Sequence, residues 1–268
     1  MAKTLTFIIP VRHQANAKDW TRLRSNLQQT VGSIALQENG DWRAIIVANQ
    51  GADLPPLPAN FEVKWVDFPP NPFHERGSAE HEQFLDAVRL DKGRRILAGL
   101  LHAGPMQHVM IVDDDDFVSS KLTGFVAGHP QANGWHIEEG YVWQDGGAYL
   151  YRHAGFSAMC GSSHIIRADL FELPASMEAA STDYIKQMLG SHIFIDGYLR
   201  SRGTPLAALP FVGAVYRVGH AESHSKSAGL LAHYFLHAWL LKKPVELARR
   251  VARLKYLSTT VRREFFGA

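Results

Sequence analysis

Four consecutive aspartates, Asp113 to Asp116, follow the apolar run Val109-Met110-Ile111-Val112. Like charges this close repel, and without a cation one or more of them would hold a proton. At the carboxyl end of a buried strand, carboxylates project into the crevice where open α/β sheets bind ligands. In extended chain alternate residues share a side, so Asp113 and Asp115 can face one ion while Asp114 and Asp116 point elsewhere. A hard divalent cation held by one or two carboxylates, with phosphate oxygens completing its shell, needs that arrangement. A second concentration of ligand-type residues lies in the turn Gly219 to Ser227, which carries His220 and His224. The composition agrees with such a site. A single cysteine, Cys160, excludes an internal disulfide and any cysteine-rich metal centre, and favours a reducing, cytoplasmic setting. The 14 His and 26 Asp plus Glu leave oxygen and imidazole as the available ligands.

The elements that must carry these residues are readable from periodicity. Leu5 to Val11 is a continuous apolar run, as expected of a buried parallel strand. Trp20, Leu23, Leu27, Val31 and Ile34 recur at three- and four-residue steps and predict a helix ended by Gly40. Arg43 to Ala48 and Phe61 to Val66 read as the second and third strands, the third closing on Asp67. Asp91 to Ala103 predicts a helix stopped by Gly104-Pro105, and the strand that feeds the four aspartates follows it. This order indicates an open, mostly parallel sheet with helices on both faces. The expected division is a catalytic domain over 1–227, with a nucleotide-binding half 1–120 and an acceptor-binding half 121–227, followed by a C-terminal helical tail, 228–268.

Charge is unevenly spread over the 268 residues, whose formal net charge is +2. Eight of the 28 basic residues and two of the 26 acidic ones fall between Lys242 and Glu264, interleaved with Val245, Ala248, Val251, Ala252 and Leu254. That pattern predicts a basic amphipathic helix able to touch an anionic membrane peripherally. No apolar run approaches the ~18–20 residues of a bilayer span, and the near-neutral average argues against nucleic acid as a partner.

The combination of Lys92-Gly93-Arg94-Arg95 near a helix start with Val109-Met110-Ile111-Val112-Asp113-Asp114-Asp115-Asp116 resembles the GT-A-fold glycosyltransferases, of the DxD-containing, family-2-like kind. Phe7-Ile8-Ile9-Pro10-Val11-Arg12 is similar to their first strand, and Asp67 matches their base-recognising acid. The likeness runs over residues 5–120. It implies a Rossmann-like GT-A fold and a nucleoside-diphosphate sugar donor, with UDP favoured. It also implies Mn²⁺ or Mg²⁺ as cofactor and a saccharide or lipid-linked acceptor. On this resemblance Pro10, Val11, Arg12, Asp67, Lys92, Arg94, Asp113 and Asp114 bind the nucleotide sugar. Asp115 binds the metal, with His220 first and His224 second as the imidazole that completes its shell.

An inverting transfer needs a general base for the acceptor hydroxyl. The stretch Gly190 to Leu199 is similar to the helix that carries it, but Ser191-His192 stand where the family has an acidic pair, and Asp196 lies one turn on. His192 and Asp196 are the two catalytic candidates. Two alternatives follow from the same residues: a nucleotide- or glycan-binding module without catalysis, and a nucleotidyltransferase. The latter would carry a Gly-rich loop after the first strand, where Val11-Arg12-His13-Gln14 stands.

Overall fold

In the computed structural model, which describes residues 2–74, 80–219, 230–237, 240 and 242–267, the first half follows the expected order. It runs β1 (Lys3–Pro10), α1 (Trp20–Ala35), β2 (Trp42–Asn49), β3 (Phe61–Val66), α2 (His81–Ala103) and β4 (Met106–Ile111). The helix expected from Asp91 starts ten residues earlier. In that added stretch only Phe84 is buried, so it has no apolar stripe to announce it. The second half is β5 (Phe117–Val118), α3 (Leu122–Ala127), β6 (Gly134–His136), β7 (Glu139–Gln144), β8 (Tyr149–Ala154), β9 (His164–Arg167), α4 (Thr182–Tyr184), α5 (Ile195–Ser201), β10 (Ala207–Ala208) and β11 (Ala214–Val218). After it come α6 (Leu230–Tyr234), α7 (Pro244–Ala252), β12 (Leu254–Tyr256) and α8 (Thr259–Phe265).

A seven-stranded sheet runs in the order β10-β6-β9-β4-β1-β2-β3. Its β1–β2, β1–β4, β2–β3 and β6–β10 pairs are parallel, and β9 alone runs against its neighbours β4 and β6. Side chains of β1 alternate between two cores. Leu5, Phe7 and Ile9 pack with Leu23, Leu27 and Val31 of α1, while Ile8 packs with Ile96, Leu97 and Leu100 of α2. Helices therefore cover both faces, and each fully buried aliphatic or aromatic side chain contributes ~1.5–3 kcal/mol.

Buried polar residues of α1, and Gln37 just beyond it, fix the segment 116–119. Thr30 Oγ1 donates to Asp116 O (2.8 Å), Ser33 Oγ bridges Val118 N and O (2.9 and 3.1 Å), and Gln37 Nε2 donates to Ser119 O (2.8 Å). Backbone of the short β5 and its flanks thus has hydrogen bonds met in the interior. On the other face, Gly93 of α2 lies against the segment 185–190. A Cβ at Gly93 would fall 2.3 Å from Ile185 O, and one at Gly190 would fall 2.1 Å from Arg89 O. This approach brings Ser191 and His192 behind Lys92.

A five-stranded sheet, β12-β8-β7-β11-β5, completes the body. The single amphipathic helix expected over the tail is replaced by α7, β12 and α8. Ser258 caps α8, and β12 pairs with β8. Val261 and Phe265 pack with Phe117 and Trp143, and Glu264 accepts from Ser119 Oγ (2.7 Å) and Lys121 Nζ (2.9 Å). Apolar spacing was regular only as far as Leu254; beyond it the buried residues serve strand and sheet packing. Among the described residues no helix is long and apolar enough to cross a membrane.

Candidate active site

The carboxyl ends of β1 and β4 open into a cleft of about 240 Å³. Pro10 and Arg12 form one side, Lys92 and Arg95 of α2 another, and Asp113, Asp114 and Asp115 the floor. Asn16, Asn71, His74, Asp91 and Tyr216 complete it. Parallel strands converge here because their crossovers place every loop of one end together.

Two cations make the acidic run tolerable. Lys92 Nζ donates to Asp113 Oδ1 at 2.5 Å; burial works against its charge, but the Asp113 carboxylate outweighs burial and holds the ammonium above its usual range. Beneath the run, Arg217 of β11 is fully buried. It donates to Asn26 Oδ1 (2.5 Å) and Gln29 Oε1 (2.8 Å) and stacks 4.6 Å over Phe117. Burial pushes it down to about 10, opposed by Asp115 and Asp116, so it stays charged at neutral pH. Asp116 has a structural part. Burial, with Asp115 and Asp113 beside it, pushes its carboxyl well above the usual range, and Ser162 Oγ (2.7 Å) and Cys160 Sγ (3.2 Å) donate to it. The same Ser162 Oγ accepts from Asp113 N (2.8 Å), which ties the loop 160–163 to the acidic run. Burial raises the Cys160 thiol well above its ordinary value, so it stays protonated and unreactive.

Five of the residues expected at the nucleotide line this cleft, Pro10, Arg12, Lys92, Asp113 and Asp114, together with Asp115, expected at the metal. Three others, Val11, Arg94 and Asp67, do not line it. Val11 is fully buried in the α1-side core, contributing only its backbone N–H to Val47 O (2.9 Å). Arg94 is exposed, on the side of α2 away from the cleft. Arg95 lines the cleft instead, fully buried, with Nη1 donating to Asn49 Oδ1 (2.6 Å), Nε and Nη2 to Asp91 (3.1 and 3.0 Å), and its guanidinium 5.8 Å over Phe68. Helical spacing held the signal, since Lys92 and Arg95 are three apart and share a face, whereas Arg94 does not. Asp67 is exposed at the end of β3, outside the cleft lining but close enough to act on the charge of His13. Asn16, Asn71 and Tyr216 carried no motif.

Further along the same sheet edge stands a cluster that sequence reasoning found only in part. His136 and His164 are register partners across β6 and β9. Asp196, in the first turn of α5, sits between them: Oδ2 lies 3.3 Å from His164 Nε2 and Oδ1 lies 4.0 Å from His136 Nδ1. The His164 ring nitrogen at 3.3 Å, and after it His136, hold the Asp196 carboxyl below the usual carboxylate range against its partial burial. His192 borders a small cavity of about 20 Å³, room for about one water, together with His164, Lys92 and Gly161. Burial first, then the Lys92 charge, pushes it down to about 4, so it is neutral at pH 7. Lys92 walls both cavities.

Among the described residues, no three His, Cys, Asp or Glu side chains are grouped so as to hold a metal by themselves. The floor carboxylates nevertheless suit a hard cation that takes the rest of its shell from a diphosphate. His220 and His224, the expected imidazole ligands, lie outside the described residues.

No protein-family model and no curated protein matches the chain. Solved structures do. Residues 1–349 of S. aureus TarS in complex with UDP-GlcNAc align with a TM-score of 0.45 at 12% identity, covering 85% of this chain and 62% of that one. A second structure of residues 1–349 gives 0.44 at 11% identity, covering 81% of this chain and 60% of that one. A structure of S. aureus TarS gives 0.42 at 11%, covering 81% and 37%. The chain spans less than two thirds of the length of each, and likeness at this level carries no residue role or activity across.

Proposed function

We propose that this chain is a glycosyltransferase that moves a sugar from a nucleoside-diphosphate sugar, UDP being the favoured nucleotide, to a hydroxyl of a saccharide or lipid-linked acceptor. The observation that carries this reading is the joining of two chemistries along one sheet edge. A cleft with cationic walls and a carboxylate floor lies at β1 and β4, and a carboxylate flanked by two histidines lies at β9 and β6. The first suits a diphosphate and a hard cation. The second suits an acceptor hydroxyl that must lose a proton.

In this account Arg12, Lys92 and Arg95 face the diphosphate and offset its charge. Asp113, held by Lys92, is directed to the ribose, and Asp67 stands at the rim for the base. Asp115 would hold Mn²⁺ or Mg²⁺, with Asp114 beside it, and the bound cation would offset charge on the departing diphosphate. Asp196 receives the acceptor's proton, and His164 and His136 keep it ionised and aimed. Neutral His192 lies behind Lys92 on the small cavity, where it offers a hydrogen bond, and the carboxylate Asp196 is the group assigned to the proton.

Turnover tests this. Purified protein with a panel of UDP- and GDP-sugars, Mn²⁺ and mixed saccharide acceptors should release the nucleoside diphosphate. Asp196→Asn should slow that release by ~10²-fold or more while leaving donor binding within about twofold. Release of pyrophosphate instead would identify a nucleotidyltransferase. Donor binding with no turnover on any acceptor would identify a binding module.

A further inference from the structure

Helix α7 is turned the wrong way round for a helix that packs on its own protein. None of its nine residues is buried. Glu246, Leu247 and Arg250 are the half-buried ones, with Arg250 donating from Nε to Glu246 Oε1 (3.1 Å) and from Nη1 to Tyr234 O (2.6 Å). The ion pair thus faces the body of the molecule. Val245, 65% exposed, and Val251, 52% exposed, face outward with Ala248 and Ala252. At 100° per residue these four fall within one arc of roughly 120°. Leu236, 75% exposed, lies two residues from the Tyr234 carbonyl that Arg250 holds.

Five exposed cations surround this arc: Lys242 and Lys243 before it, Arg249 beside it, Arg253 and Lys255 after it. The one acid of this stretch, Glu246, is already paired with Arg250. The charge decides among occupants. A second copy meeting the same face would set cations against cations, because a two-fold contact opposes each patch to itself. Nucleic acid would match the cations but leave the aliphatic arc without a partner. An anionic bilayer surface satisfies both, with aliphatic groups at the acyl boundary and cations among the headgroups.

We propose that α7 is a membrane-docking helix that lies in the plane of an anionic phospholipid surface, on Val245, Ala248, Val251 and Ala252, with the five cations on the headgroups. This is independent of the transferase reading, since no residue of α7 lines the cleft.

The test is sedimentation of the full chain with vesicles of phosphatidylcholine alone and of phosphatidylcholine with phosphatidylglycerol. The protein is expected to sediment with the anionic vesicles and not with the neutral ones. Added salt should weaken this, and Arg249→Ala should cut the partition coefficient about fivefold, the loss of one near-surface charge. Val245→Asp with Val251→Asp should cut it by ~10-fold or more; both positions are exposed, so the melting temperature should not move. No sedimentation with anionic vesicles at low salt overturns the proposal. So does binding that the double aspartate variant leaves unchanged, or a dimer without vesicle binding that the variant dissolves.

Discussion

Lys92 Nζ and Asp113 Oδ1 meet at 2.5 Å under the backbone of Gly161, where an added Cβ would lie 2.5 Å from Asp113 Oδ2 and 2.8 Å from Lys92 Nζ. Three segments distant in sequence, the middle of α2, the end of β4 and the loop before β9, therefore share one contact. The ion pair is what lets a run of four acids sit at a strand end, and the glycine is what lets the loop close over it.

Gly161→Ala separates these roles. The groups it displaces are side-chain ends that can swing aside, so the fold should survive with a melting temperature within a few degrees, about 1 kcal/mol. The pair itself must move, and nucleotide affinity should fall ~10-fold or more. Calorimetric titration beside a melting curve checks this; unchanged affinity would mean the Lys92–Asp113 geometry does not matter to binding.

Lys92→Met removes the charge while keeping the stem. Asp113 is then left half-buried beside Asp115 and Asp116, and the protein should lose ~1–3 kcal/mol, read by urea unfolding. Arg94→Ala, two residues on but exposed, should cost less than ~0.5 kcal/mol and leave nucleotide affinity alone.

The low value at His192 sets a pH dependence. Folded, the imidazole protonates at about 4, against 6.5 when unfolded. The unfolded chain therefore binds the proton first, and the stability contributed by the neutral ring is complete above pH 6.5 and lost as pH falls toward 4. The loss has an upper bound of ~3 kcal/mol. Burial likewise lowers His13, His108 and His153, so wild type alone does not isolate it. Unfolding free energies at pH 7.5 and 5 should differ less in His192→Gln than in wild type; equal slopes would contradict the assignment.

His164 acts on Asp196, and its removal should show in a pH profile. The approach of His164 is the largest influence lowering the Asp196 carboxyl. In His164→Ala that carboxyl should rise, and the acidic limb of kcat against pH should move to higher pH, with KM for the donor unchanged. A variant that only loosened the fold would lower activity at every pH alike.

Much of this is legible in the sequence. The runs Leu5–Val11, Arg43–Ala48 and Val109–Val112 announced β1, β2 and β4, since strands buried on both faces have nothing but apolar residues to show. The four aspartates pointed to the cleft because their place at a strand end is a matter of chain order. Arg217 was invisible: its role depends on a fully buried position on β11, reached only when the second sheet forms. The pairing of His136 with His164 was hidden for the same reason, as cross-strand register between non-consecutive strands leaves no local pattern. The tail misled in extent: the stripe forms a helix only to Ala252, and beyond it β12 and α8 are set by contacts with β8, Phe117 and Trp143 that leave no local pattern.

The β1/β4 cleft is expected to bind a nucleoside diphosphate together with a divalent cation held through Asp115. Thermal unfolding with UDP and with GDP, each with and without Mn²⁺, in wild type and Asp115→Ala, tests it directly. At about 100 times Kd the bound nucleotide should add ~2.7 kcal/mol, a rise of roughly 5–10 °C. That rise should require Mn²⁺ and be absent in Asp115→Ala. Failure of every nucleoside diphosphate to stabilise the wild type in a metal-dependent way, or an equal rise in Asp115→Ala, would contradict it.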